Sequence, residues 1–209
     1  MGERRLSAGT AGTVPDSART KPPGQQGTYK LSARYLITGC SGGGKSTLVD
    51  HFGALGHHIV PEPGRRVIRA AQDDGRDALP WVNESAFEDA CEAMAHQDLE
   101  RVSGLAGPVF FDRGLLEVAV ARHDRDGTPL QATLGDEWPY AEVVFLAPPW
   151  PELYVNDGDR RHGLEDGIAE YERITIALDQ LGLKAISLPR IPVAARADFV
   201  LRSIAPSGQ

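Results

Sequence analysis

The apolar positions of this chain fall into short, unbroken runs that alternate with longer stretches of helical period. Tyr35-Leu36-Ile37-Thr38 is the first run, and it ends at Gly39. His57-His58-Ile59-Val60, Pro108-Val109-Phe110-Phe111-Asp112, Val143-Val144-Phe145-Leu146 and Ala185-Ile186-Ser187-Leu188 follow in turn. Their lengths and their β-branched or aromatic content are those of buried strands. The segments between them read as helices. Lys45 to Leu55 is stopped by Gly56, and Pro63 to Gln72 follows the second strand. Ser85 and Glu88 have the spacing of a capping box for a helix reaching about Val102. On that helix Phe87, Cys91, Met94, Ala95, Leu99 and Val102 share one face. Leu115 to His123 is a further helix. Glu165 to Leu181 is amphipathic through Ile168, Tyr171, Ile174 and Leu178, with Gly182 as its stop. Pro192 can open a last helix ending near Ile204.

Continuously apolar strands separated by helices predict an α/β fold with a parallel sheet covered on both faces, and ligands beyond the carboxyl ends of its strands. Residues 1–30 are rich in Gly, Pro, Ser, Thr and charge and poor in large apolar side chains. They cannot bury enough surface to offset ordering entropy, so they are expected to form a disordered tail ahead of one domain over residues 31–206.

Charge and cysteine content narrow the function classes. The formal net charge of −7 argues against broad nucleic-acid binding. Cys40 and Cys91 give neither a disulfide framework nor metal-ligand spacing, and His57, His58, His96 and His123 also lack such spacing. No apolar run approaches the roughly 18 residues of a membrane span, and the N-terminus has no apolar signal core. Gly2 begins a near-miss to a myristoylation signal, with Leu6 where Ser or Thr is required. A cytoplasmic protein without membrane or nucleic-acid partners is expected, with a protein partner left open.

The chemistry begins at Gly39-Cys40-Ser41-Gly42-Gly43-Gly44-Lys45-Ser46, which satisfies G-x-x-x-x-G-K-[ST] between a strand and a helix. A loop that wraps phosphates must turn several backbone N–H groups inward, and glycine permits the dihedrals and the close approach. The helix start adds its dipole. Lys45 supplies charge to the β- and γ-phosphates, Ser46 a hydroxyl to Mg²⁺, and Thr47 completes the nucleotide-binding run. Cys40 stands at a variable position of the motif and reads as a small filler. Asp112, ending the third strand, is the expected acid for Mg²⁺. Arg113 beside it either binds substrate or phosphate or pairs with a carboxylate. Glu62, at the end of the second strand, is placed to orient or deprotonate an acceptor hydroxyl. Arg65 and Arg66 either bind an anionic acceptor or belong to a solvated helix face. The polar stretch 156–163 carries Arg160 and Arg161 between Gly158 and Gly163. It is a candidate lid whose arginines stabilise charge on a transferring phosphoryl group.

Six segments together resemble a known family: ITGCSGGGKSTL (37–48), VPEPGRRVI (60–68), FFDRGLLEV (110–118), VFLAPPWPELYVNDGDRRH (144–162), EYERI (170–174) and LPRIPVAARADFVL (188–201). The resemblance is to the predicted-ATPase group of P-loop proteins that includes the nicotinamide riboside kinase region of NAD-metabolism regulators. It implies a kinase-like three-layer α/β/α fold with five parallel strands in the order 2-3-1-4-5. The expected function is transfer of the γ-phosphoryl of Mg-ATP to a small hydroxyl-bearing, nucleoside-like acceptor. The alternative is a regulatory ATPase or GTPase switch acting through a protein partner. The chain has no N-K-x-D-type guanine-reading motif.

Overall fold

Five strands form one parallel sheet: β1 (Arg34–Gly39), β2 (His58–Val60), β3 (Val109–Asp112), β4 (Val143–Ala147) and β5 (Lys184–Ser187), in the order β2-β3-β1-β4-β5. The computed structural model describes residues 33–153 and 163–205. The helices that join and follow the strands are α1 (Lys45–Ala54), α2 (Pro63–Asp74), α3 (Glu84–Arg101), α4 (Leu115–Asp126), α5 (Leu130–Leu134), α6 (Leu164–Gln180) and α7 (Val193–Ile204). The order is the one the family resemblance implies.

Alternation along the central strands makes the three layers. On one face Leu36, Phe111, Val144 and Leu146 pack with residues of α3, α4 and α6. On the other, Ile37, Phe110 and Phe145 pack with α1 and α7. Neighbouring positions therefore feed opposite cores, which is why the runs read as unbroken rather than alternating. Phe52 of α1 stacks on Phe110 with ring centroids 3.8 Å apart. Burying each such side chain stabilises the fold by about 1.5–3 kcal/mol. A smaller cluster of Val67, Ala71, Cys91 and Val118 ties α2, α3 and α4 together beside the carboxyl ends of β2 and β3.

Three expectations are corrected. Helix α3 is capped by Asn83, whose Oδ1 accepts from the Ala86 N–H at 3.2 Å, and not by Ser85. Asn is as good a cap as Ser, and here it stands two residues earlier. Glu88 consequently does not reach back to a cap but points to arginines on α4. Helix α5 was not expected, because five residues between Pro129 and Gly135 are too few to display a period. The last strand ends at Ser187, although the Leu188 N–H still donates to the Leu146 carbonyl at 2.9 Å. The expected tail over residues 1–30 lies outside the described residues, as do Arg160 and Arg161 and all of the expected lid except Gly163. Among the described residues no helix is long and apolar enough to cross a membrane.

Candidate active site

The loop between β1 and α1 is shaped by contacts that leave little room. Gly39 has φ 107°, and a Cβ there would lie 2.4 Å from the Ala147 carbonyl oxygen. Only glycine meets both conditions. The Cys40 N–H donates to that same carbonyl at 2.9 Å and fastens the loop to β4. Cys40 is fully buried, and a Cβ at Gly167 of α6 would come within 3.1 Å of its sulfur. It fills the gap between loop and helix, as a small side chain at a variable position should.

Two cations hold the loop from inside and behind. Lys45 is buried, and its Nζ donates to the carbonyls of Gly39 (3.1 Å) and Cys40 (2.7 Å). Burial and the nearby Arg113 lower its pKa, against the pull of Asp112, Glu170 and Glu62. Arg196 of α7 donates to the carbonyls of Gly43 (3.1 Å) and Gly44 (3.3 Å). In a trans peptide the C=O and the following N–H point in opposite directions. Drawing these carbonyls toward Arg196 thus turns the Gly44 and Lys45 N–H groups the other way. The guanidinium also lies over the Trp150 ring, 5.6 Å from its centroid. Arg196 was invisible to sequence reasoning, since one arginine on an amphipathic helix looks solvated.

Asp112 ends β3 directly beside the loop. Its Oδ2 accepts from the Ser46 hydroxyl at 2.6 Å, while its buried Oδ1 has no hydrogen-bond partner. Burial first, and then the Glu62 charge, push its carboxyl up; Lys45, Ser46 and Arg113 oppose the shift. A bound cation would reverse that balance. The orphaned oxygen, the adjacent hydroxyl and the all-oxygen donor set fit Mg²⁺. Among the described residues no group of three or more His, Cys, Asp or Glu side chains could hold a metal by themselves.

Arg113 is the one non-glycine residue with positive φ (62°) among the described residues. Its guanidinium donates twice to Glu170, at 2.6 and 2.9 Å, and lies 3.6 Å from Glu62 and 3.7 Å from Glu117. Burial alone would lower its pKa, but the three carboxylates hold it well above the ordinary value. Burial pushes Glu170 up as well, yet the paired contact with Arg113 outweighs this and leaves it below the usual range. Of the two readings of Arg113, pairing with carboxylates is therefore present in the structure. Glu117 also receives hydrogen bonds from the Thr38 hydroxyl and the Gly114 N–H. Its i+4 spacing from Arg113 was the available signal.

Gly114 occupies extended backbone, so its role is steric. A Cβ there would lie 2.0 Å from the Tyr140 hydroxyl oxygen, which accepts from the Leu115 N–H. Gly114→Ala is expected to destabilise the fold by about 1–3 kcal/mol, because buried Tyr140 cannot retreat. Urea unfolding checks the value, and Tyr140→Phe in the same background should return part of the loss.

A cavity of about 560 Å³ opens beyond the strand ends. The phosphate loop, through Ser41, Gly42, Gly44, Lys45, Ser46 and Thr47, forms one end. Glu62, Arg65, Arg113 and Glu117 line the middle, and Ile68, Trp81, Phe87, Glu88 and Val118 form the far end. Glu62 precedes α2 and accepts from Arg65 Nε at 3.1 Å. Arg66 is the exception among the expected substrate residues. It turns out of the cavity and pairs with buried Asp98 of α3 at 2.5 Å, because consecutive helical residues point about 100° apart.

Comparison with known proteins places this arrangement. A family model described as an AAA domain matches residues 34–196. No curated protein matches significantly. The solved structure of the NadR protein in complex with NR is similar with a TM-score of 0.63 at 17% identity, over 83% of this chain and 51% of that one. This chain thus spans about half of that protein's length. Deoxyadenosine kinase from M. mycoides with bound dATP gives a TM-score of 0.55 at 16% identity, over 83% and 100% of the two chains. Shikimate kinase from Acinetobacter baumannii in complex with shikimate gives 0.53 at 17% identity, over 83% and 93%. At these identities the likeness is one of fold: a P-loop kinase-like α/β domain.

Proposed function

The chain belongs to the P-loop AAA-domain family, and on that premise we propose that it is a kinase transferring the γ-phosphoryl group of Mg-ATP to a small, nucleoside-like acceptor. The observation that carries the reading is the extent of the cavity, which is lined by the phosphate loop and also by Glu62, Phe87 and Glu88. A protein that only hydrolysed nucleotide would need room, beyond the nucleotide itself, for water alone. The solved structures of deoxyadenosine kinase and shikimate kinase, similar in fold, add support.

In this reading backbone N–H groups from Ser41 to Thr47 and the Lys45 ammonium take the phosphates. Ser46 and Asp112 would hold Mg²⁺, which would neutralise phosphate charge. The acceptor hydroxyl oxygen attacks the γ-phosphorus as the bond to the β–γ bridging oxygen breaks. Glu62 receives the hydroxyl proton, and ADP departs. Arg65 and Arg113 position Glu62 and the acceptor, and Arg160 and Arg161 meet the transferring group. Most of the acceleration comes from positioning and fixed charge.

The test is a panel of nucleosides (nicotinamide riboside among them), sugars and sugar-like antibiotics, incubated with Mg-ATP and read by mass for the gain of one phosphate. ADP formation at the same rate with and without every acceptor would replace this reading with hydrolysis. Once an acceptor is in hand, Glu62→Gln should cut kcat about 10²- to 10⁴-fold with ATP affinity retained. A loss under about threefold, set against that scale, takes Glu62 out of the base role.

A further inference from the structure

The far end of the cavity contains a carboxylate that is half used. Glu88 is 3% exposed and lies on α3 between Glu84 and Cys91, which also line the cavity. Its Oε2 faces two guanidiniums of α4, bonded to Arg125 and 3.7 Å from Arg122. Both arginines are fixed in turn, Arg122 by Asp89 (2.5 Å) and Glu92 (2.7 Å) and Arg125 by Asp126 (2.8 Å). The other oxygen, Oε1, is buried and has no partner. Buried polar atoms are nearly always satisfied, so a bare one on a residue that lines a cavity is a candidate ligand contact. The walls around it are apolar and aromatic, with Phe87, Trp81, Ile68 and Val118.

We propose that Glu88 sets acceptor specificity: its free Oε1 accepts a hydrogen bond from an N–H group on a flat nitrogen heterocycle seated against Phe87 and Trp81. The inference rests on the transferase reading above and names the class of acceptor within it. A ring face suits the aromatic wall, and an N–H donor suits the oxygen. An acceptor bringing its own carboxylate to this end would meet like charge. Because the arginines hold Oε2, Oε1 is the acceptor left over for a ligand. Glu88 is thus a specificity-determining residue, remote from the transferring phosphorus.

The test compares acceptors that differ in one donor: adenosine against purine riboside, and cytidine against pyrimidin-2-one riboside. Binding is measured by calorimetry and phosphorylation by mass, for the parent and for Glu88→Gln. A hydrogen bond to a charged group predicts that the parent prefers the amino-bearing member of a pair by about 10- to 100-fold in Kd and kcat/KM. In Glu88→Gln the amide oxygen stays with the arginines, which offer only donors, and the amide NH₂ faces the cavity. The preference should then vanish or reverse while ATP affinity stays parental. Equal treatment of both members by the parent overturns the proposal, as does parental preference in the folded variant. If Glu88→Gln does not fold, the parent's own discrimination decides. Phosphorylation confined to sugars or carboxylate-bearing acceptors overturns the role of Glu88 and leaves the kinase reading standing. Binding of the amino-bearing rings with no product, ATP being bound, supports Glu88 and overturns transfer. Binding of no heterocycle at all overturns Glu88 whatever the turnover.

Discussion

Lys45→Ala is expected to lower nucleotide turnover by at least about 10²- to 10³-fold, the scale for removing one fixed donor from a developing charge. The ammonium is held by two loop carbonyls, 3.1 and 2.7 Å away, and is buried at the mouth of α1. Those carbonyls offer it partial charge only. A phosphate oxygen offers a full one, so nucleotide should draw Lys45 forward and raise its lowered pKa. The apolar clusters on either side of the sheet do not include Lys45, and the variant should stay folded. Calorimetric titration with ATP and circular dichroism decide the matter together. A folded variant with parental affinity and turnover would remove Lys45 from the phosphate site.

Asp112→Asn is expected to separate stability from activity. Burial and Glu62 raise the Asp112 pKa, so its folded value lies above its unfolded one. The contribution of such a group is fully present below the unfolded pKa and is lost as pH rises through the folded pKa. The ionised carboxylate is therefore a cost to the ligand-free protein near neutral pH. The variant should unfold at an equal or higher temperature there, with a flatter dependence on pH. Its turnover should nevertheless fall by about 10²-fold or more, because the amide cannot supply the charge Mg²⁺ requires. For the parent, loading Mg-ATP at weakly acid pH should release a proton. A magnesium titration of turnover that superimposes on the parent's would reduce Asp112 to a strand cap for Ser46.

What was legible in the sequence divides by distance along the chain. The phosphate loop is local: eight consecutive residues encode it, and their spacing already implies the dihedrals found at Gly39 and Gly44. Asp112 and Glu62 were legible because each ends an apolar run, and in a parallel sheet those ends share one crevice. The pairing order of the strands came from family resemblance, since local pattern does not encode neighbours. Arg65 and Arg66 could not be told apart. Which one enters the cavity depends on α3, 32 residues away at Asp98. Glu117, Glu170 and Glu88 were passed over or misassigned for the same reason. A lone acid on an amphipathic helix looks solvated until the partner element arrives, and the capping-box spacing gave Glu88 a competing explanation. Whether Arg160 and Arg161 close over phosphate remains a proposal carried by the sequence.

The bond from Arg196 to the phosphate loop also fixes an order of events in time. The nucleotide-binding motif is complete once Ser46 has been made, yet the guanidinium that turns its peptides belongs to a residue 152 and 153 positions beyond the carbonyls it holds. Strand β4, which fastens Cys40, is also a late arrival. A nascent chain on the ribosome therefore carries the motif long before it carries the grip. Synthesis of α7 is the moment at which the loop gains its brace.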